Sequence, residues 1–191
     1  MKICVYGAGS IGGIIGGVLA EQGHDVSLIA RGDHLASLRK SGCTIDTGEK
    51  KFTVHPVCSD DPAELGPQDA VVIAVKAPAL LSVAAGIAPL LGPETTVIPA
   101  MNGIPWWFYD GFPADGPEID LPLLDPDGDI SSAIDPARII GCVVHMGAVV
   151  PEPGVIRRAA DNRLILGEPS GERSARVTEF AALFDATFLD V

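Results

Sequence analysis

Short runs of β-branched and aliphatic residues alternate along the chain with segments whose apolar positions recur every three or four residues. That alternation predicts strands interleaved with helices. Lys2–Tyr6 is a β-rich run that ends in glycines. Across residues 10–22, Ile11, Ile14, Ile15, Val18 and Leu19 fall on one helical stripe, and Gly23 closes it. Residues 25–30 read as a second strand, followed by a short helix over residues 33–40. Residues 69–75 are nearly all apolar, which predicts a central strand buried on both faces. A helix over 80–91, a strand over 95–99 and a further β run over 139–144 follow.

Three segments fall outside a simple parallel sheet. Residues 44–46 and 51–57, joined by Thr47-Gly48-Glu49-Lys50, read as a small hairpin. Residues 154–158 and 163–166 read as antiparallel strands, before a final helix over 172–185 and a strand start at 188–191. The whole predicts an α/β fold: a Rossmann-type, doubly wound, mostly parallel sheet with added antiparallel strands. Residues 110–137 are rich in Pro, Gly and Asp and read as an excursion across the surface. Within it Asp125, Asp127 and Asp129 alternate as calcium ligands do, but Gly128 comes too early for an EF-hand loop and no closing Glu follows, so a solvated turn is expected.

Composition narrows the function. The 191 residues fit one generous domain, or one domain and a fragment of another. A hydrophobic share of 47% and a mean hydropathy of +0.32 suit a protein with a real core. No apolar run reaches the roughly 18 residues that a membrane span needs. The chain enters its first strand straight after Met1-Lys2, leaving no room for a signal sequence, so a cytoplasmic protein is expected. A net charge of −12 argues against nucleic acid as a partner. It does not argue against a phosphorylated cofactor, which needs only a few well-placed cations and amides. Cys4, Cys43, Cys58 and Cys142 are scattered without a CxxC pair; Cys4 and Cys142 lie in apolar runs and read as small core residues in a reducing compartment.

The candidate chemistry starts at Gly7-Ala8-Gly9-Ser10-Ile11-Gly12, which follows the first strand and opens the first helix. In that context the pattern is a dinucleotide fingerprint. Gly7 permits the tight turn, Gly9 lets backbone approach a pyrophosphate, and Gly12 lets helix and strand pack closely. Gly13, Gly16 and Gly17 read as packing features. At the end of the second strand, where an NAD-selective site carries Asp or Glu, the chain has Ala30-Arg31-Gly32. A guanidinium can grip a 2′-phosphate, so NADP is favoured over NAD, an ordinary surface arginine being the alternative.

Ligands of open α/β sheets bind beyond the carboxyl ends of the strands. Lys76 ends the central strand, with Pro78 two residues on suggesting an irregular exit; Asn102-Gly103 ends the next strand at the equivalent level. Each has a plain alternative, a strand-end lysine and an Asn-Gly turn, and their coincidence favours function. His145 sits at a similar edge, as a substrate contact or as a histidine satisfied by backbone. Trp106-Trp107-Phe108-Tyr109 reads mainly as packing. His24, His34 and His55 show no mutual spacing that suggests a metal site.

Taken together, the glycine turn, Arg31, Val75-Lys76-Ala77, Met101-Asn102-Gly103-Ile104-Pro105-Trp106-Trp107, residues 141–147 and Gly154-Val155-Ile156-Arg157 resemble the ketopantoate reductase (2-dehydropantoate 2-reductase) family over nearly the whole chain. The resemblance implies NADPH-dependent reduction of 2-dehydropantoate to (R)-pantoate, a step towards pantothenate, with a small keto acid as substrate. It implies that Gly7, Ala8, Gly9, Ser10, Ile11 and Gly12 bind the pyrophosphate and Arg31 the 2′-phosphate. Lys76 and Asn102 would line the cofactor and substrate cleft, with Asn102 also touching substrate, and Gly147 would lie near the nicotinamide half. Family members carry a second, all-helical domain that supplies a lysine as general acid. Residues 1–191 are therefore expected to be the NADP-binding domain, with the helical domain absent from this chain, no catalytic residue assigned, and cofactor binding with little turnover. A non-catalytic NADP(H)-binding module and the cofactor domain of another 2-hydroxyacid or opine-type dehydrogenase stay open, as does a homodimer.

Overall fold

The structure, a computed structural model, describes residues 1–108 and 123–191. In chain order the elements are β1 (Lys2–Tyr6), α1 (Ser10–Glu21), β2 (Asp25–Ile29), α2 (Gly32–Ser41), β3 (Cys43–Asp46), β4 (Lys51–Val54), β5 (Val57–Ser59) and β6 (Gln68–Ile73). There follow α3 (Leu80–Gly86), β7 (Leu91–Pro99), α4 (Asp129–Ala133), β8 (Gly141–Glu152), β9 (Val155–Gly167) and α5 (Ala175–Ala182). A parallel five-stranded sheet has the order β5-β2-β1-β6-β7, and a second, four-stranded sheet has the order β4-β3-β9-β8. This is the predicted mostly parallel Rossmann-type sheet, while the added strands, expected to be antiparallel, form a mixed sheet in which β3 and β9 run parallel.

The central position of β1 explains its sequence: Ile3, Cys4 and Val5 are fully buried because helices cover both faces. Chain order reverses at β1, with β2 on one side and β6 on the other, so the turn leaving β1 opens at a topological switch point. α1 lies between the two sheets, and its small residues set the spacing. A Cβ at Gly16 would sit 2.5 Å from Leu28 Cδ2, and one at Gly17 2.6 Å from Ile45 Cγ1. Gly16 and Gly17 are thus packing residues, as expected.

The second sheet departs most from the expected elements. The strand expected over 51–57 is divided: β4 ends at Val54, and β5 crosses to the edge of the parallel sheet beside β2. Pro56 lies at the break, where it has no N–H for a ladder. The β runs expected over 139–144, 154–158 and 163–166 become two long strands, β8 and β9, paired antiparallel with register shifts along their length. The start of this hairpin is tied to the parallel sheet, because Ile140 N–H donates to Val97 O at 3.0 Å and Ala100 bridges Cys142.

Elsewhere boundaries move. The helix expected over 80–91 stops at Gly86; a 3₁₀ turn over Ala88–Leu90 with Pro89 in its first turn leads directly into β7, which begins at Leu91 instead of Thr95. α5 is shorter than the expected 172–185, starting where Ser174 Oγ accepts the Val177 N–H at 3.2 Å. The strand start at 188–191 is a single bridge between Arg163 and Asp190. Residues 110–122 of the expected excursion, and Tyr109, lie outside the described residues. In the rest, the Asp125 carboxylate accepts the N–H groups of Ile130 and Ser131 at 3.0 and 2.9 Å, holding the first turn of α4.

Cys4, Cys43 and Cys142 are buried, and burial pushes their thiols up to about 12. Cys4 and Cys142 are core residues, as their apolar runs predict, and Cys43 joins them. No described helix is long and apolar enough to cross a membrane.

Candidate functional site

The turn between β1 and α1 is fixed from three sides. Gly7 adopts φ +102°, and a Cβ there would meet Val75 Cγ1 at 2.7 Å and Ala74 O at 2.8 Å. The N–H groups of Gly7 and Ala8 both donate to Ile29 O, at 3.1 and 2.8 Å, which pins the turn to β2. A Cβ on Gly12 would lie 2.2 Å from Gly7 O and 2.9 Å from Val5 Cγ1. Gly9 is the opposite case: it is exposed, and a Cβ there would meet nothing within 4 Å.

Above Gly9 the helix start is open. Gly9 is the N-cap of α1 and offers no side-chain cap, and the first turn holds no acidic residue. The first-turn amides of Ser10, Ile11 and Gly12 have no intrahelical carbonyl to bond, and the helix dipole adds partial positive charge there. An anion suits this place. The six predicted turn residues therefore divide: Gly7 and Gly12 give the turn its shape, the Ala8 amide is engaged by Ile29, and Gly9, Ser10 and Ile11 border the open end.

Beside the turn lies a cleft of 570 Å³ bordered by Tyr6, Gly7, Ala8, Gly9, Arg31 and Val83 on the sheet side and by Val150–Pro153 of the second sheet opposite. Arg31 N-caps α2, and its Nη2 donates to Ser82 Oγ on α3 at 3.1 Å. Its charge is felt across the cleft floor: burial pushes the Tyr6 phenol up, and the Arg31 guanidinium pulls it back. Among the described residues, the carboxylate bordering this cleft is that of Glu152.

His34 borders the same cleft, and sequence reasoning missed it. One ring nitrogen, Nε2, lies 2.8 Å from Ala8 O, and the other, Nδ1, lies 3.1 Å from the Gly154 amide nitrogen. Its position in the first turn of α2, beside the end of β2, was the available signal.

At the tips of β6 and β7 the predicted residues part company. Lys76 is exposed and N-caps the 3₁₀ turn Ala77–Ala79, the irregular exit expected from Pro78. Its ammonium makes no hydrogen bond or ion pair with any described residue. Asn102 is already engaged: Nδ2 donates to Val144 O and Oδ1 accepts from Val144 N–H, both at 2.9 Å. The side chain thus clasps the loop after β7 onto β8, leaving one amide hydrogen. Gly147 sits half-buried at a register shift in β8, where a Cβ would approach Ala160 Cβ to 3.3 Å. His145 is exposed, pairs with Arg163 across the ladder, and borders neither cleft described here.

Trp106 and Trp107 pack against the core face that includes Ile130, Ile134 and Ile139. With Met101, Ile104 and Pro78 they also border a hollow of 770 Å³ beside Asn102. Their indole N–H groups are buried without a partner among the described residues.

The sheet order, the glycine turn at its switch point and the helix start above it define a Rossmann-type α/β domain. The chain belongs to the ketopantoate reductase family: the family model described as "Ketopantoate reductase PanE/ApbA" matches residues 3–106. It is 45% identical over 186 residues to a 2-dehydropantoate 2-reductase of Mesorhizobium japonicum, covering 95% of this chain and 56% of that protein. Among solved structures, a candidate ketopantoate reductase from Ralstonia solanacearum MolK2 superposes with a TM-score of 0.90 at 46% identity, over 96% of this chain and 57% of that one. D-mandelate dehydrogenase, solved with NADH and anilino(oxo)acetate, shares the fold at 20% identity and a TM-score of 0.77, over 100% of this chain and 55% of that one. The chain thus spans little more than half the length of the relatives it matches.

Proposed function

We propose that this chain is the NADP(H)-binding part of an enzyme that reduces 2-dehydropantoate to (R)-pantoate. The observation that carries the reading is the uncapped, carboxylate-free start of α1 opening onto the space above Gly9. A dinucleotide fits the residues present, since its diphosphate needs amide donors and backbone that can be approached closely, and the cleft next to Arg31 continues from that point.

Bound NADPH supplies the hydride for the ketone carbon. Gly9, Ser10, Ile11 and Gly12 hold the diphosphate with main-chain N–H groups, while Gly7 and Ala8 keep the turn in place. Arg31, its guanidinium steadied by Ser82, grips the 2′-phosphate. Lys76 puts a positive charge near the oxygen on which alkoxide charge develops. Asn102 offers its remaining N–H to substrate or nicotinamide, and Gly147 leaves room beside the nicotinamide half. The reading assigns residues 1–191 to cofactor binding and names no proton donor among them, so this chain alone binds cofactor with little turnover. Core cysteines kept as thiols suit the reducing cytoplasm.

Separate fluorescence titrations of the chain with NADPH and NADH test this. NADPH is expected to bind about tenfold or more tightly than NADH, the worth of a charge-assisted contact. Absence of binding by either dinucleotide overturns the reading. The apolar hollow beside Asn102 favours a second reading, a 2-keto acid with a larger apolar substituent, and a higher kcat/KM for such an acid in the enzyme containing this chain would establish it.

A further inference from the structure

The β8–β9 turn is docked onto α2 by two side chains on one helical face. Ser37 Oγ donates to Pro153 O at 2.8 Å, and the Gly154 N–H donates to His34 Nδ1 at 3.1 Å. Gly154 also passes its carbonyl to the Thr44 N–H at 2.9 Å, so this turn is held on both sides. The fit is close: a Cβ on Gly154, which has φ +84°, would fall 2.5 Å from Ser37 Oγ. The opposite nitrogen of His34 reaches 2.8 Å to Ala8 O, inside the glycine turn. Because a carbonyl can only accept and the Gly154 amide can only donate, the two contacts together require the neutral imidazole with its hydrogen on Nε2.

We propose that His34 is a positioning residue for dinucleotide binding. In the Nε2–H form it ties the glycine turn to the β8–β9 turn, so that the two walls of the 570 Å³ cleft hold one spacing. The inference rests on the dinucleotide reading above. Three observations support it. The Ala8 N–H is fixed to Ile29 O, and the imidazole fixes the carbonyl of the same residue, so both main-chain polar groups of Ala8 are held. His34 and Val150–Pro153 border one cleft with Gly7, Ala8 and Gly9. The opposite wall comes from a different sheet, and among the described residues only His34 has one side chain bonded to both the glycine turn and Gly154, which directly follows that wall.

The test uses the 191-residue chain and two variants, with NADPH and NADH titrated separately. His34→Ala removes both bonds and is expected to weaken the two dinucleotides alike, by roughly threefold to tenfold per bond lost. His34→Gln can donate to Ala8 O and accept from Gly154, and is expected to recover most of the affinity. The ¹⁵N imidazole shifts of the unmutated chain should show hydrogen on Nε2 with Nδ1 unprotonated. If the unmutated chain binds neither dinucleotide, the functional reading fails and this inference with it. If it binds and His34→Ala binds equally well, or His34→Gln is no better than His34→Ala, or the hydrogen is on Nδ1, only the role of His34 is overturned.

Discussion

At the tip of β1 the chain offers main-chain amides with no side chain in the way. At the tips of β6 and β7 it offers side chains, of which Lys76 has no partner among the described residues and Asn102 is committed to Val144. In the first region Gly7 and Gly12 are pressed against neighbours, and Gly9 is the exception, with open space where a Cβ would be. The second is assembled from a distance: Asn102 and Val144 stand 42 residues apart. An anion cradle can thus be made by a short sequence, whereas positioning polar groups over the middle of the sheet takes partners from another sheet. Two residues equally prominent at strand ends are then engaged differently, one holding the fold and one without a partner among the described residues.

Gly12→Ala should have the largest effect on stability, because its Cβ would lie 2.2 Å from a backbone oxygen that cannot swing aside. A loss of about 3 kcal/mol in denaturant unfolding is expected, the upper range for overpacking. Gly9→Ala is the contrast. It should leave unfolding within about 0.5 kcal/mol of the unmutated chain, yet weaken both dinucleotides. Equal stability loss for the two variants would erase the distinction between shaping and ligand-facing glycines.

Arg31→Ala comes next. Loss of a charge-assisted contact worth about 1.5–3 kcal/mol predicts NADPH weakened roughly ten- to a hundredfold, with NADH nearly unchanged. A matching loss for both dinucleotides would remove the specificity argument.

Asn102→Ala should cost about 2 kcal/mol of stability by taking their side-chain partner from the Val144 N–H and C=O. Lys76→Ala should cost less than about 0.5 kcal/mol and act only on turnover in the enzyme containing this chain. If chemical denaturation ranks them the other way, the assignment of duties at the two tips is reversed.

The smallest effect is expected at Glu168, outside both regions. Its carboxyl is held below the usual range by hydrogen bonds from Arg176, against the opposing effect of burial. Arg176 also donates to Ala137 O and Ile139 O, so the pair ties α5 to the start of β8. A carboxyl lowered on folding adds stability that is full above its unfolded value and lost as pH falls through its folded value. Glu168→Gln should therefore flatten the acid side of the stability–pH curve, and an unchanged curve would show that the pair contributes nothing measurable.

How much could be read in advance follows from the range of the interactions. The glycine turn was legible because β1, the turn and the start of α1 are consecutive, and the steric demands on Gly7 and Gly12 come largely from that unit and the adjacent strand end. The buried strand β6 was legible as an apolar run. The division of residues 51–57 between two sheets was not, although Pro56 marked the break, because which edge Val57–Ser59 joins depends on β2 being unpaired on that side. The duty of Asn102 and the bridging by His34 were equally hidden, since their partners, Val144 and Gly154, lie on a hairpin whose placement over α1 and α2 no local pattern encodes.

By itself, then, the sequence determined the alternation of strands and helices, the parallel sheet with its glycine turn, and a cation at the end of β2. Periodicity and backbone sterics act over a few residues, and nothing more was needed for these. Tertiary structure alone decided which polar side chains remain available to a ligand. That depends on whether a distant peptide group has already taken their hydrogen bonds, and on how the second sheet meets the first to form the walls of the cleft.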